Sequence, residues 1–301
     1  MKRQASFYGY NLLADQAKNI PGRLIVLEGP DGVGRSSQIA LLREWLENEG
    51  YAVATSALKR GKLAGKGLRD AMQGHTLGDT TMNLFYATDF ADRLEHEILP
   101  ALRAGFIVLT DRYIYSIITR ALVRGADPYW LRNLFSFALV PDIVFYLEAD
   151  VHTLSAHVLN SRGFDYWESG MDFLPGRDYY ASFVEYQRRI QDQFDAISDD
   201  YGFHCIDANR SMHAVFSDLQ EQIKHVIADM KPTQPPLPGA GDWRVESSGY
   251  GEDSRAEGGY AEGPGQAGGQ GYAEETSAGE APSGEPLGSQ PANSVNGTRT
   301  P

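Results

Sequence analysis

The 301 residues carry a formal net charge of −13 and one cysteine, and 42% of them are hydrophobic. One cysteine excludes an intramolecular disulfide and fits a reducing compartment, and no apolar run approaches the length of a membrane span. Ten acidic against four basic residues lie after position 230, so the preceding part is only mildly acidic and general affinity for nucleic acid polymers is not expected.

Residues 1–21 are polar with scattered aromatics (Phe7, Tyr8, Tyr10) and end in Ile20-Pro21-Gly22, a turn signal. They predict no more than a short helix packed on the core. Lys2 and Arg3 precede no continuous apolar segment, so a soluble cytoplasmic protein is expected. From Leu24 short apolar runs alternate with helical segments, the pattern of a parallel α/β sheet with crossover helices. Buried strands are predicted at 24–28, 52–56, 106–110, 142–147 and 202–206, with Cys205 a buried strand residue in the last.

The apolar run Leu24-Ile25-Val26-Leu27 leads into Glu28-Gly29-Pro30-Asp31-Gly32-Val33-Gly34-Arg35-Ser36-Ser37 and an amphipathic segment. Glycines let this loop curl so that successive N–H groups point inward, and the helix that follows adds its positive dipole, so the stretch reads as a phosphate cradle. Gly29, Gly34 and Ser36 fit the pattern G-x-x-x-x-G-K-[ST], with Arg35 standing where lysine is expected. Ser36 is assigned to Mg²⁺ through its hydroxyl and Arg35 to the terminal phosphates of a triphosphate. A planar guanidinium is no simple replacement for a compact ammonium at such a site.

The following helix carries Ile39, Leu41, Leu42, Trp45 and Leu46 as one apolar stripe, ended by Gly50. A basic loop (Lys59, Arg60, Lys62, Lys66) precedes a helical stretch from about residue 80 to residue 103, in which Pro100 predicts a kink or break. In Ile107-Val108-Leu109-Thr110-Asp111-Arg112-Tyr113 an acid and a base sit at the carboxyl end of a strand, the edge that faces the ligand crevice in open parallel sheets. Asp111 is a candidate for magnesium and Arg112 for a phosphate, with a strand-end ion pair or helix cap as the alternative. Helical regions are predicted from Tyr113 toward Arg124 and from Asp127 to Leu139. The polar stretch Ser161 to Gly170 reads as a mobile lid whose Arg162, backed by Arg177, stabilises a transferring phosphoryl group. After Lys231, Gly, Pro, Ser, Glu and Ala dominate, which predicts an extension (1–21), a domain (22–230) and a disordered tail (231–301).

Loop, Asp111-Arg112-Tyr113 strand end and lid together resemble the thymidylate kinase family of P-loop nucleoside monophosphate kinases over about residues 22–230. The resemblance extends to Phe85-Tyr86-Ala87-Thr88-Asp89 with Ile98-Leu99-Pro100-Ala101-Leu102, to Pro141 through Glu148, to Arg162-Gly163 with Asp165 and Glu168, and to Ile206 through Ser211. It implies a doubly wound, five-stranded P-loop NTPase sheet flanked by helices, a homodimer, Mg²⁺, and transfer of the ATP γ-phosphoryl to dTMP. By the same resemblance Gly29, Pro30, Asp31, Gly32, Val33, Gly34, Arg35, Ser36 and Ser37 hold the ATP phosphates, and Asp31 touches the acceptor sugar. Arg112 grips the acceptor phosphate, Phe85 or Tyr86 stacks on the base, and the catalytic arginine is Arg162. Residues 207–211 lie near adenine.

The departures cluster at the chemistry. Arg35 replaces lysine, Phe90 takes the place of the arginine that reads thymine, Arg120-Ala121 stands for a Tyr-Gln pair, and Leu58-Lys59-Arg60-Gly61 for an Arg-Glu-Pro-Gly-Gly stretch. An active kinase on dTMP is thus set against a degenerate nucleotide-binding protein. A third reading is a kinase on another small acceptor, its extra phosphate met by Arg60, Arg120 and Arg124.

Overall fold

The computed structural model describes residues 5–10, 12–58, 61, 63–74, 77–161, 163–174 and 176–234. Apart from residues 231–234, the predicted tail lies outside the described residues. Five parallel strands form one sheet in the order β2-β3-β1-β4-β5: β1 Arg23–Glu28, β2 Val53–Ala57, β3 Ile107–Asp111, β4 Ile143–Glu148 and β5 His204–Asp207. All five predicted strands are present, displaced by up to two residues at their ends.

Strand periodicity explains the burial of both sheet faces, because successive side chains point to opposite sides. Leu24 and Val26 enter one apolar cluster and Ile25 and Leu27 the other. The second cluster is covered by α1 (Arg35–Asn48), α7 (Val151–Ser161) and α9 (Met212–Val226). The first takes residues from α2 (Gly65–Gln73), α3 (Asp79–Arg93), α4 (Leu99–Arg103), α5 (Ile114–Val123), α6 (Pro128–Leu134) and most of α8 (Tyr179–Tyr201). The chain leaves β1 toward β2 on one side and reaches β4 and β5 on the other, so the sheet is doubly wound.

The break expected at Pro100 takes the form of a wide, π-type stretch at Leu94–Ile98 between α3 and α4. Proline supplies no N–H and its ring crowds the carbonyl four residues back, and a wider turn relieves both. The helix foreseen over 127–139 ends at Leu134, and α2 had no sequence signal of its own.

Cys205 is exposed, contrary to the sequence reading. Its strand is the last of the sheet and pairs only with β4, leaving Ile206 as its buried residue. Partial burial of the sulfur and the Glu148 carboxylate push the thiol up to about 11, so the thiolate is scarce at neutral pH.

Residues before Pro21 are not an idle extension. Phe7 bridges to Leu139, Tyr8 N donates to Ala138 O at 3.1 Å, and Ala17 and Ile20 are buried in the core. At the other end, Thr233 N and Gln234 N donate to Gly50 O at 2.9 and 3.1 Å, so described structure continues past residue 230.

Candidate active site

The loop between β1 and α1 is shaped by glycines with positive φ. Gly29 (φ +144°) lies so close to β4 that a Cβ would sit 2.6 Å from Leu147 O, and at Gly32 (φ +84°) it would meet Val158 Cγ2 of α7 at 2.7 Å. No other residue type satisfies both the dihedral and the contact. The N–H groups from Gly32 to Ser37 donate to no group among the described residues, which leaves the amides and the first turn of α1 available to an anion.

Arg35, 7% exposed, turns inward. Its Nε donates to Asp111 Oδ1 at 2.8 Å, and its Nη1 donates to Gly29 O at 2.7 Å and to Pro30 O. Nη2 is without a partner among the described residues, so its two N–H groups remain for a phosphate while the other three hold the loop together. Ser36 Oγ donates to Asp111 Oδ2 at 2.7 Å. Burial alone would raise the Asp111 carboxyl, but Arg35 and Arg112, with the bonds from Ser36 and Arg35, outweigh it and hold the group below the usual carboxylate range. The two residues assigned to magnesium therefore meet as oxygen donors with an ionised carboxylate, a set that suits a hard cation. No group of three or more His, Cys, Asp or Glu able to hold a metal occurs among the described residues. A cation here would take its other ligands from phosphates and water.

Asp31, 2% exposed, is the centre of a clamp. Arg112 Nη2 donates to Oδ1, Arg120 Nη2 reaches Oδ1 at 3.0 and Oδ2 at 2.7 Å, and Gln187 Nε2 reaches Oδ2 at 3.3 Å. Gln187 Oε1 also accepts from Asp31 N at 3.2 Å. Arg112 has φ +66°, with its N–H bonded to Leu27 O at 3.0 Å; such a backbone is costly and is found where function constrains it. Burial would lower the Arg120 guanidinium, but the Asp31 carboxylate overrides this and holds it charged. Arg35, Arg112 and Arg120 bring three guanidiniums to the loop against the carboxyls of Asp31, Asp111 and Glu28, so their placement rather than a net charge suits a phosphate.

Glu28, fully buried at the end of β1, accepts from Tyr113 N at 2.7 Å, Ser116 N at 3.2 Å and Ser116 Oγ. It closes the N-terminus of α5, where a carboxylate meets the positive helix end. Burial nonetheless pushes its carboxyl up.

Beside Arg120 opens a cleft lined by α2, α3, α5 and Trp167. Tyr86 lines it, its hydroxyl donating to Met72 Sδ at 3.6 Å, whereas Phe85, one residue along the helix, packs toward Gly67 and the core. Phe90 lies fully buried against Tyr113, ring centroids 4.8 Å apart. Arg162 and Arg60 lie outside the described residues. Arg177 is 3.9 Å from Glu185. The stretch read as a lid is anchored at its far end, where Ser182 Oγ donates to Ser169 O at 2.6 Å, Gln187 Nε2 to Glu168 O at 2.9 Å and Trp167 Nε1 to Met72 O at 3.0 Å. Arg124, considered above for an extra phosphate, is committed to Asp172 and Tyr186 at 2.7 Å each. Asp207 accepts from Asn209 N at 3.0 Å, and Ser211 caps α9.

Two site residues escaped the sequence reading. Gln187 and Asn83 have no motif, and a polar residue inside an apolar helical stripe was the signal available for each; Arg120, expected to meet an extra phosphate, instead bonds Asp31.

A family model described as thymidylate kinase matches residues 27–170. The chain is 34% identical over 210 residues to a probable thymidylate kinase 2 of Saccharolobus solfataricus, covering 69% of this chain and 96% of that one. It is 30% identical over 213 residues to a probable thymidylate kinase of Pyrococcus horikoshii, covering 68% and 98%. It is likewise 30% identical over 205 residues to a thymidylate kinase of Brachyspira hyodysenteriae, covering 67% and 94%.

Proposed function

Since the chain belongs to the thymidylate kinase family, we propose that it transfers the γ-phosphoryl group of ATP to dTMP or a related nucleoside monophosphate, giving ADP and the diphosphate. The observation that carries this reading is the clamp on Asp31. It sets two guanidiniums, Arg112 and Arg120, between the phosphate loop and the adjoining cleft.

The loop amides and Arg35 Nη2 bind the phosphates of the donor, while Arg112 and Arg120 receive the acceptor phosphate and Tyr86 meets the base. Mg²⁺, held by Ser36 and Asp111, would neutralise charge on the donor phosphates. Phosphoryl transfer asks for alignment and charge stabilisation more than for a strong base, and Arg35, Arg112 and Arg120 are the cations at the loop. Arg162, which lies outside the described residues, is proposed as a further cation for the transferring group. Purified protein with ATP, Mg²⁺ and a panel of monophosphates should yield a diphosphate; no turnover above background with any of them would end this reading. As further proposals, the protein is a homodimer, read by light scattering against the 33.2 kDa chain mass, and its folded unit ends near Gln234.

A second reading has its own observation, the inward fold of Arg35, which spends most of its donors on the loop itself. On that reading the protein binds nucleotide without transferring phosphate. Arg35→Lys separates the two: a large gain in turnover favours a degenerate loop, whereas a loss makes arginine the working residue.

A further inference from the structure

We propose that Asn83 reads the ring edge of the acceptor base, an inference that rests on the nucleoside monophosphate reading above and names the group that selects among its substrates. Asn83 and Tyr86 stand one turn apart on the cleft-lining face of α3. Farther along the same helix, Phe90 is fully buried in the core, so the position at which an arginine was expected to read the base lies beneath the cleft and carries no hydrogen-bonding group.

Elimination singles out what remains. Arg120 is engaged by Asp31, Arg124 by Asp172 and Tyr186, and the Tyr86 hydroxyl by Met72. Asp79, at the start of α3, is exposed at the cleft rim. Asn83 is 7% exposed, yet its carboxamide makes no hydrogen bond among the described residues. Its two polar atoms are not sealed from solvent, so a carboxamide without a protein partner stays open to a ligand in the cleft. Here it borders the cleft opening beside the arginines that receive a phosphate.

A carboxamide offers an acceptor and a donor side by side. Its complement is a ring edge with an N–H next to a carbonyl, as in thymine and uracil. The edge of cytosine offers the same pair in reverse, which the amide meets after a half-turn. The shared chemistry is therefore a pyrimidine edge with adjacent donor and acceptor, and the turn of the amide decides between the imide bases and cytosine.

The test uses the full chain and its Asn83→Ala and Asn83→Asp variants, with initial rates on dTMP, dUMP and dCMP, thermal shifts by the same compounds, and the unfolding midpoint without ligand. Asn83→Ala should raise KM for dTMP by about tenfold or more, as loss of such a polar pair does, with KM for ATP changed less than twofold. Its unliganded midpoint should stay the same or rise, because no bond is lost and alanine favours helix. Asn83→Asp, which only accepts, keeps one bond and opposes one acceptor on either edge, and should lower kcat/KM for dTMP and dCMP alike. An unchanged KM for dTMP in Asn83→Ala, in an active wild type, overturns the inference and leaves the kinase reading intact. A lower midpoint with KM for ATP raised in step also overturns it, since that marks a structural role. If the wild type turns over nothing, a dTMP thermal shift that disappears in Asn83→Ala supports base reading while phosphoryl transfer fails; no shift by any of the three overturns both.

Discussion

Replacing Arg35 by alanine tests how the phosphate loop is held. The side chain makes three charge-assisted bonds, to Asp111 Oδ1 at 2.8 Å, to Gly29 O at 2.7 Å and to Pro30 O. A hydrogen bond to a charged group contributes about 1.5–3 kcal/mol, but the three share one side chain and do not add. Asp111 stays a fifth exposed (21%) and retains Ser36, so the penalty for an abandoned charge is discounted from the buried-pair range of about 3–5 kcal/mol. The expected loss is about 3 kcal/mol, which for a folded region of this size lowers the melting temperature by roughly 6–12 °C. Urea unfolding followed by far-UV circular dichroism measures it, with buried Trp45 on α1 as a second probe. Arg35→Lys keeps the charge but cannot reach three acceptors at once, and should lose about 1–2 kcal/mol. If Arg35→Ala unfolds within about 0.5 kcal/mol of wild type, beneath the worth of even one such bond, the side chain does not brace the loop.

Asp31→Asn leaves Arg112 and Arg120 without their carboxylate and should cost about 3 kcal/mol in chemical denaturation, with a rise in KM for the acceptor. Asp111→Asn should be most destabilising at neutral pH. The native Asp111 carboxyl titrates below its ordinary value, so its stabilisation is complete above about pH 4 and fades as pH falls through the lowered value; melting curves of the two proteins should converge in acid. Ending the chain after Met230 removes the bonds of Thr233 and Gln234 to Gly50 O and should lower stability by about 1–2 kcal/mol. Ending it after Gln234 should leave the melting temperature unchanged.

The strands and the loop were legible because their signals are local. A run such as Leu24 to Leu27 is apolar on both alternations, which only a sheet covered on both faces requires, and the glycines of the loop announce its dihedrals. Cys205 misled because a short apolar run reads the same at an edge as at a centre, and edge position depends on strand order. Asp31 was placed in the loop, but its partners Arg112, Arg120 and Gln187 lie 81, 89 and 156 residues away, and no local pattern reports a pairing at such separations. Asn83 was invisible for a related reason. What sets it apart is the absence of a bond among the described residues, and that can be seen only when every neighbour is in place.

The Glu28 carboxylate has a mechanical consequence. It rivets the root of the phosphate loop to the first turn of α5, and the same helix presents Arg120 on its next turn. Rotating α5 away from the loop would strip a buried acid of its donors. The loop after β1 and Arg120 are therefore coupled through one buried acid and travel as one block.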